Sequence, residues 1–186
     1  MFIAVGLGNP DQKYKNTRHN IGSEILENFQ KENGFPSFGI SKKLNSSISK
    51  ETIKDKEIIL AQPQIFMNKS GEAVKSLINY YRLKIANLII IHDDIDLPLG
   101  KIKISKDRGS AGHKGVESII KELKTKEFIR LRVGIQPQKG KPRNPQKFVL
   151  KKFTRKENSP QIAKEASQAL KVILIEGIET AMNKFN

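Results

Sequence analysis

Two hydrophobic periodicities divide the chain into predicted helices and strands. Apolar residues recur every three to four positions over four stretches, which predicts amphipathic helices at residues 20–33, 70–82, 113–124 and 158–183. Short apolar runs between them predict strands at residues 2–5, 47–53, 58–61, 88–91, 101–105 and 128–135. This alternation favours an α/β fold, with a mixed, mostly parallel, twisted β-sheet and helices on both faces.

The connecting segments are compatible with a single domain covering residues 1–186. Residues 35–47 are polar and are predicted to be irregular. Residues 136–146 are rich in Pro, Gly and Lys, which predicts a long mobile loop before a short apolar element at 148–150. A chain of 186 residues with 37% hydrophobic and 28% charged residues is typical of a globular domain with a real core.

The composition excludes several classes of protein. There is no cysteine, which excludes disulfides, thiolate chemistry and Cys-ligated zinc. No apolar run reaches the roughly 18 residues of a membrane span, and the N-terminal strand pattern lacks the basic region of a secretory signal. We therefore expect a cytoplasmic protein with no membrane partner.

The net charge of +15 is unevenly distributed. Residues 101–156 hold 18 Lys and Arg against 4 Asp and Glu, whereas the rest of the chain holds 16 against 15. A basic face concentrated in one third of the chain favours a polyanionic partner, most often a nucleic acid, over a merely solvated lysine surface. The aromatic RNP motif, zinc-finger spacing and a helix-turn-helix signature are all absent from the sequence.

Polar residues gather where the first strand ends. A glycine-rich turn runs from Gly6 to Pro10, and a polar loop then carries His19 towards the first helix. Loops at strand ends are where α/β proteins keep their chemistry, so His19 is a candidate functional residue, with a structural histidine as the alternative interpretation. The turn is not a dinucleotide fingerprint, because the third glycine position holds Asp11.

The central apolar strand is followed by an acidic segment, residues 92–96. Since strand side chains alternate, His92 and Asp93 should point to opposite faces, and Asp93 should meet a residue from another strand end. Carboxylates also leave open a Mg²⁺ or Ca²⁺ site, although the spacing matches no defined ligand set. The glycine-rich basic loop at 106–115 lacks the Walker lysine spacing of a nucleotide P-loop. His113 lies in this loop, and we expect it, like His92, to be structural or supporting.

Seven short motifs follow one another along the chain: GLGNP, TRHN, FMNKSG, HDDIDLPLG, GSAGHKG, LRVGI and KFVL. Their order and spacing resemble those of the bacterial-type peptidyl-tRNA hydrolase family, over essentially the whole chain. The resemblance implies a small monomeric α/β enzyme with no cofactor and no required metal. It also implies hydrolysis of the ester that joins a peptide to tRNA, which recycles tRNA from aborted translation. The implied partner is peptidyl-tRNA, through its acceptor stem and its attached peptide.

The resemblance assigns roles to individual residues. His19 matches the catalytic histidine, the general base that activates water, and Asp93 matches the carboxylate that supports it. Asn9 matches the asparagine that helps to recognise an acylated amino group. Further substrate contacts are implied for Tyr14, Phe66, Met67, Asn68 and Lys114. The basic segment would then bind tRNA phosphates, with as candidates Lys103, Lys106, Arg108 and Arg132.

One position departs from the family pattern. Lys114 stands where the family commonly has asparagine, and an ammonium group only donates hydrogen bonds whereas an amide also accepts them. We expect altered substrate contact rather than lost catalysis. The departure keeps a second hypothesis open, a non-catalytic RNA-binding protein on the same fold.

The residues themselves are suited to the same chemistry. Ester hydrolysis needs a base with a pKa near neutrality and a donor for the developing oxyanion. A histidine whose other ring nitrogen faces a carboxylate provides such a base, as His19 and Asp93 would if their strand ends meet. Asn68 and nearby backbone N–H groups are candidate donors. The absence of Cys and of a G-x-S-x-G motif disfavours a covalent nucleophile.

Overall fold

The computed structural model describes residues 1–186 and has the predicted α/β architecture. Seven strands form one sheet: β1 (Phe2–Gly6), β2 (Gly39–Ser41), β3 (Ser46–Ile53), β4 (Lys56–Pro63), β5 (Leu88–Pro98), β6 (Ile102–Lys106) and β7 (Ile129–Gln136). Six α-helices connect or follow them: α1 (Ile21–Glu32), α2 (Ser70–Tyr81), α3 (Lys114–Leu123), α4 (Pro145–Val149), α5 (Ser159–Glu176) and α6 (Ile178–Phe185). No helix has the length and apolar character needed to cross a membrane.

The sheet has a parallel centre and antiparallel edges. Its strand order is β2-β3-β4-β1-β5-β7-β6. The four central strands β4, β1, β5 and β7 are parallel, whereas the β2–β3–β4 meander and the β6–β7 pair are antiparallel. Parallel strands end at the same edge of a sheet, so the segments after β1, β4 and β5 meet there.

Helices cover both faces of the sheet, and each face has its own hydrophobic core. One core packs α1, α5 and α6 on the sheet and includes Phe29 and Leu170. The other packs α2 and α3 on the opposite face and includes Leu77 and Ile119. The central strands are apolar on both sides because they contribute to both cores.

Two glycines allow the backbone of α1 to lie in direct contact with the backbone of β1 and β5. A Cβ on Gly22 would lie 2.3 Å from the carbonyl oxygen of Ile91, and a Cβ on Gly6 would lie 2.3 Å from that of Gly22. Any side chain at either position would therefore push the helix away from the strand ends. This close approach brings the turn before α1, which carries His19, directly over the ends of β1 and β5.

The structure corrects two predicted boundaries. β5 does not end at Ile91 but continues through the acidic segment to Pro98, because it pairs with β7 as far as Asp94 and again at Pro98 after an irregularity. The predicted final helix at 158–183 is two helices, because the chain breaks at Gly177, whose φ of 96° lies outside helical values.

Two loop predictions were incomplete. The segment at 35–47 contains the short edge strand β2, which pairs with β3 through residues 39–41. The apolar element predicted at 148–150 is the end of the short helix α4, whose first turn is capped by the side chain of Asn144. Both elements are short, so their periodicity was too weak to be read from the sequence.

Glu24, in the first turn of α1, has a carboxyl group that is partly buried and incompletely hydrogen-bonded. Its Oε1 atom is buried without a hydrogen-bond partner. Burial raises the pKa of Glu24 from 4.5 to about 7, and the nearby Glu27 carboxylate adds to the shift. Folding therefore takes up a proton between these two values, so this group reduces stability as the pH rises from 4.5 through 7.

Replacing Glu24 by glutamine removes the titratable group, and with it the loss of stability at high pH, and keeps an acceptor oxygen. We expect Glu24→Gln to raise the free energy of unfolding by about 1–3 kcal/mol at pH 8 and to leave it nearly unchanged at pH 4. Urea denaturation at both pH values measures the difference. Glu165→Gln on α5 is a suitable control, because Glu165 is exposed and accepts one bond from Gln161. An equal gain at both pH values would contradict the pKa assignment.

Candidate active site

A cleft of about 1270 Å³ opens over the carboxyl ends of the central strands. It is lined by segments from the ends of β1, β4 and β5, by the start of α3 and by α4. The predicted catalytic and substrate-contacting residues all line this one cleft: Asn9, Tyr14, His19, Phe66, Met67, Asn68, Asp93 and Lys114.

His19 and Asp93 form a hydrogen-bonded pair in the cleft. His19 lies in a 3₁₀ turn, Arg18–Asn20, immediately before α1. Its Nδ1 is 2.8 Å from Oδ1 of Asp93, and both side chains are almost fully buried. Since a carboxylate only accepts, Nδ1 carries the proton, and Nε2 is left with a free lone pair beside the cleft.

A second histidine shares the same carboxylate oxygen. Nε2 of His113 is 2.9 Å from Oδ1 of Asp93. Nδ1 of His113 accepts hydrogen bonds from the backbone N–H groups of Gly115 and Val116, at 3.2 and 3.3 Å. The helix therefore fixes the tautomer: Nδ1 has no proton, and Nε2–H donates to Asp93. His113, at the end of the glycine-rich loop 106–115, is the N-cap of α3.

The contacts between Asp93 and the two histidines lower the pKa of Asp93 and raise the pKa of His19, in each case against the effect of burial. Burial by itself would raise the pKa of Asp93, but the imidazole rings of His19 and His113 hold it well below its usual range. Burial by itself would lower the pKa of His19, but the Asp93 carboxylate overcomes this and raises it above 6.5. Asp93 is therefore an anion, and His19 is a base stronger than an isolated histidine.

His92 lies behind this pair rather than in the cleft lining. Its Nδ1 donates to the backbone carbonyl of Asp93 at 2.7 Å, and it makes no hydrogen bond to the Asp93 carboxylate. Burial, together with the nearby His113, lowers its pKa well below 6.5. His92 is thus a neutral buried residue whose ring packs 4.7 Å from that of His113.

The geometry of His113 bears on the metal hypothesis. The nitrogen and oxygen atoms of His19, Asp93 and His113 lie within 4.8 Å of one another, close enough for three ligands of one ion. A metal at Nε2 of His113 would have to displace its proton while Nδ1 keeps accepting from the helix, which requires an imidazolate. The contacts suit shared protons better than a resident metal ion.

Asn9 is held by its backbone and its side chain together. Its backbone N–H donates to Oδ1 of Asn20 at 3.0 Å, and its carbonyl accepts from Nδ2 of Asn20 at 2.9 Å. Its own Oδ1 accepts from the backbone N–H of Met67 at 2.9 Å. The Nδ2 group of Asn9 makes no hydrogen bond within the chain, so the side chain is suited to binding an acceptor such as a carbonyl oxygen.

The segment after β4 and the start of α3 form the outer walls. Phe66 is 52% exposed, Met67 is buried beneath it, and the Asn68 amide makes no hydrogen bond within the chain. Lys114 is on the rim, where its Nζ lies 3.3 Å from Glu117. An exposed apolar ring beside a free amide is a surface suited to a peptide backbone and its side chains.

Comparison with known proteins identifies the family. The family model described as peptidyl-tRNA hydrolase matches residues 3–186. The chain belongs to the peptidyl-tRNA hydrolase family. Proteins named peptidyl-tRNA hydrolase from Bdellovibrio bacteriovorus and Thermodesulfovibrio yellowstonii are 39% and 41% identical to it, over the full chain and 100% and 99% of their own lengths. The crystal structure of peptidyl-tRNA hydrolase from Acinetobacter baumannii superposes with a TM-score of 0.91 at 28% identity, covering 100% of this chain and 94% of that one.

The phosphate candidates of this peptidyl-tRNA hydrolase family member fall into two groups. Lys103, Lys106 and Arg108 are exposed on β6 and the loop after it. Arg132 is mostly buried, and its Nε donates to Oδ2 of Asp94 at 2.7 Å. None of the four lines the cleft described above.

The roles of three buried polar residues are not evident from the sequence. His113 and Asn20 contact Asp93 and Asn9 directly, and Arg130 lies buried on β7 with Nε and Nη1 unpartnered. Burial, with Arg132 nearby, lowers the pKa of Arg130 to about 10. A residue N-terminal to a helix, as His113 is, is a potential cap, and that signal could have been used.

Proposed function

We propose that this chain hydrolyses the ester bond between the peptide and the tRNA of peptidyl-tRNA, with His19 as the general base. The observation that carries the proposal is the buried His19–Asp93–His113 group in the cleft of a chain that belongs to the peptidyl-tRNA hydrolase family. No covalent nucleophile is required, because a water molecule is the attacking group.

The proton transfers follow from the tautomers. Nε2 of His19 takes a proton from water as the water oxygen attacks the ester carbonyl. Asp93, which stays ionised, stabilises the imidazolium that forms. When the tetrahedral intermediate collapses, the ester C–O bond breaks and the proton passes from Nε2 to the departing ribose oxygen. The products are the free peptide acid and the tRNA hydroxyl.

His113 is proposed to keep Asp93 in its working state. It donates a second hydrogen bond to Oδ1 of Asp93 from a tautomer that the helix enforces. A buried carboxylate with two donors is held in one rotamer and remains charged. The orientation of the His19 ring then follows from the fixed position of Oδ1.

The available atoms of Asn9 suggest how a peptidyl group is distinguished from a free aminoacyl group. Because Oδ1 of Asn9 is occupied by the N–H of Met67, Nδ2 would donate to a substrate oxygen. An N-acylated amino acid has one additional carbonyl oxygen that a free aminoacyl group lacks. We therefore assign to Asn9 the recognition of the acyl carbonyl, with Phe66, Asn68 and Tyr14 contacting the rest of the substrate.

The exposed cations on β6 and its loop are proposed to bind phosphates of the tRNA. Lys103, Lys106 and Arg108 are accessible and carry no ion pair. Arg132 forms an ion pair with Asp94. We therefore assign to this arginine the positioning of the Asp94 side chain, in addition to any phosphate contact. Phosphate binding of this kind releases counterions and weakens as the salt concentration rises. The monomeric state and the cytoplasmic location remain predictions from the sequence.

The His19→Gln variant tests the reaction. Glutamine fills a similar volume but cannot act as a base, so we expect turnover of an N-acylated aminoacyl-tRNA to fall by at least about 10³-fold. The melting temperature and the affinity for tRNA should stay within error of wild type.

The departure at Lys114 and the metal hypothesis can be tested with the same turnover assay. Lys114→Asn should keep full turnover, and EDTA should not inhibit the wild-type chain. Binding of tRNA without cleavage by the wild-type chain would instead favour the non-catalytic RNA-binding hypothesis.

Asp93→Asn tests the pKa of the base. In the wild type the rate should rise with pH through a pKa above 6.5, because His19 must be unprotonated to act. Without the carboxylate, burial dominates and the pKa of His19 falls, so the acid limb of kcat should move to lower pH. We also expect kcat to fall on the order of 10³–10⁴-fold, because the amide no longer enforces the tautomer. An acid limb at an unchanged pH would refute the pairing.

The phosphate contacts can be tested by the salt dependence of tRNA binding. Lys106→Ala and Arg108→Ala should each reduce the slope of log Kd against log salt by about one. Lys171→Ala is the matched control, because Lys171 is an exposed, unpaired cation on α5. A loss of slope as large in the control would show that overall charge, and not this surface, determines binding.

A further inference from the structure

Arg18, the residue before His19, is a buried cation whose contacts the mechanism above does not use. Only 4% of the Arg18 surface is exposed to solvent. Its guanidinium carbon lies 4.3 Å from the ring centre of Phe148 and 5.1 Å from that of Phe153. Cation–π contacts with two aromatic rings help to hold a guanidinium group in position.

The side-chain hydrogen bonds of Arg18 all go to one distant segment, residues 148–157, which we call the docking segment. Nη1 donates to the carbonyl oxygens of Lys151 and Lys152, at 3.1 and 2.8 Å. Nη2 donates to Oε1 of Glu157, whose other oxygen accepts from the backbone of Thr154. A single side chain thus joins parts of the chain more than 130 residues apart in sequence.

Backbone contacts continue the same junction. The N–H of Arg18 donates to the carbonyl of Lys151, and the N–H of Phe153 donates to the carbonyl of Asn16. The docking segment begins in the last turn of α4, and Gln146 and Val149 of α4, with Leu150 after it, line the cleft. The junction therefore sets the distance between the His19 turn and the α4 wall of the cleft.

We propose that Arg18 is a positioning residue for the hydrolysis, which it serves by docking the α4 wall against the turn that carries His19. This inference rests on the proposed function. Asn20 holds the turn on one side through Asn9, and Arg18 holds it on the other. Lysine is not an equivalent replacement, because its compact ammonium group lacks the planar fork of donors with which Arg18 bonds two carbonyls and a carboxylate.

The test compares Arg18→Met and Arg18→Lys with Lys56→Met. Lys56 is a matched control: its Nζ also donates to two carbonyl oxygens, those of Leu174 and Ile175, and it lies 5.9 Å from the ring centre of Phe2. It is at the start of β4, at the sheet edge opposite the cleft. Both methionine variants lose one cation and two hydrogen bonds to carbonyl oxygens, so both should lower the melting temperature, and Arg18→Met, which also loses the ion pair with Glu157, should lower it more.

Only the Arg18 variants should affect the reaction. We expect kcat to fall about 10- to 100-fold in Arg18→Met, with KM changed less than about threefold and tRNA affinity unchanged. Arg18→Lys should recover part of the loss. The acid limb of kcat should stay at the wild-type pH, since Arg18 acts on position and its charge is paired with Glu157.

The outcomes separate this inference from the proposed function. An inactive wild-type chain would reject the proposed function itself. An active wild type, with kcat unchanged in Arg18→Met and a melting temperature lowered as in Lys56→Met, would show that Arg18 is only structural. A shifted acid limb would show an electrostatic role and would also overturn the proposal. Should Arg18→Met fail to fold, Arg18→Lys and Glu157→Gln decide, with a kcat equal to wild type counting against it.

Discussion

The site depends on one buried carboxylate that accepts hydrogen bonds from two imidazole rings. An ionised aspartate that is only 3% exposed is stable only if it is well hydrogen-bonded, and His19 and His113 both donate to one of its oxygen atoms. The same contacts make His19 a stronger base and fix which of its nitrogens is free. The hydrogen bonds that stabilise the buried carboxylate are therefore also the ones that set the basicity of His19.

The backbone brings these three groups together from positions far apart in the sequence. Gly6 and Gly22 allow α1 to cross the ends of β1 and β5 at contact distance, which places His19 over Asp93. On the other side, the first N–H groups of α3, which a helix leaves without internal partners, orient the ring of His113. The unsatisfied donors of a helix end thus determine a tautomer in the site.

Charge is arranged differently around the cleft and along the basic edge. At β6 and the loop after it, cations remain exposed and free, as required for contacts with a polyanion. Towards the interior, Arg132 and Arg18 are instead paired with Asp94 and Glu157 and hold segments in place. A high net charge by itself does not separate these uses, because burial decides whether an arginine binds a ligand or the chain itself.

The fold class, four helical stretches and the motifs in the cleft can be predicted from the sequence, because hydrophobic periodicity and turn residues act locally. The sequence also indicated His19 and Asp93, since polar residues after parallel strands collect at one sheet edge. The second partner of Asp93, the helix cap formed by His113 and the docking of Arg18 on residues 148–157 are visible only in the folded chain. Each of these joins segments separated by tens of residues, and no local pattern encodes which buried donor meets which acceptor.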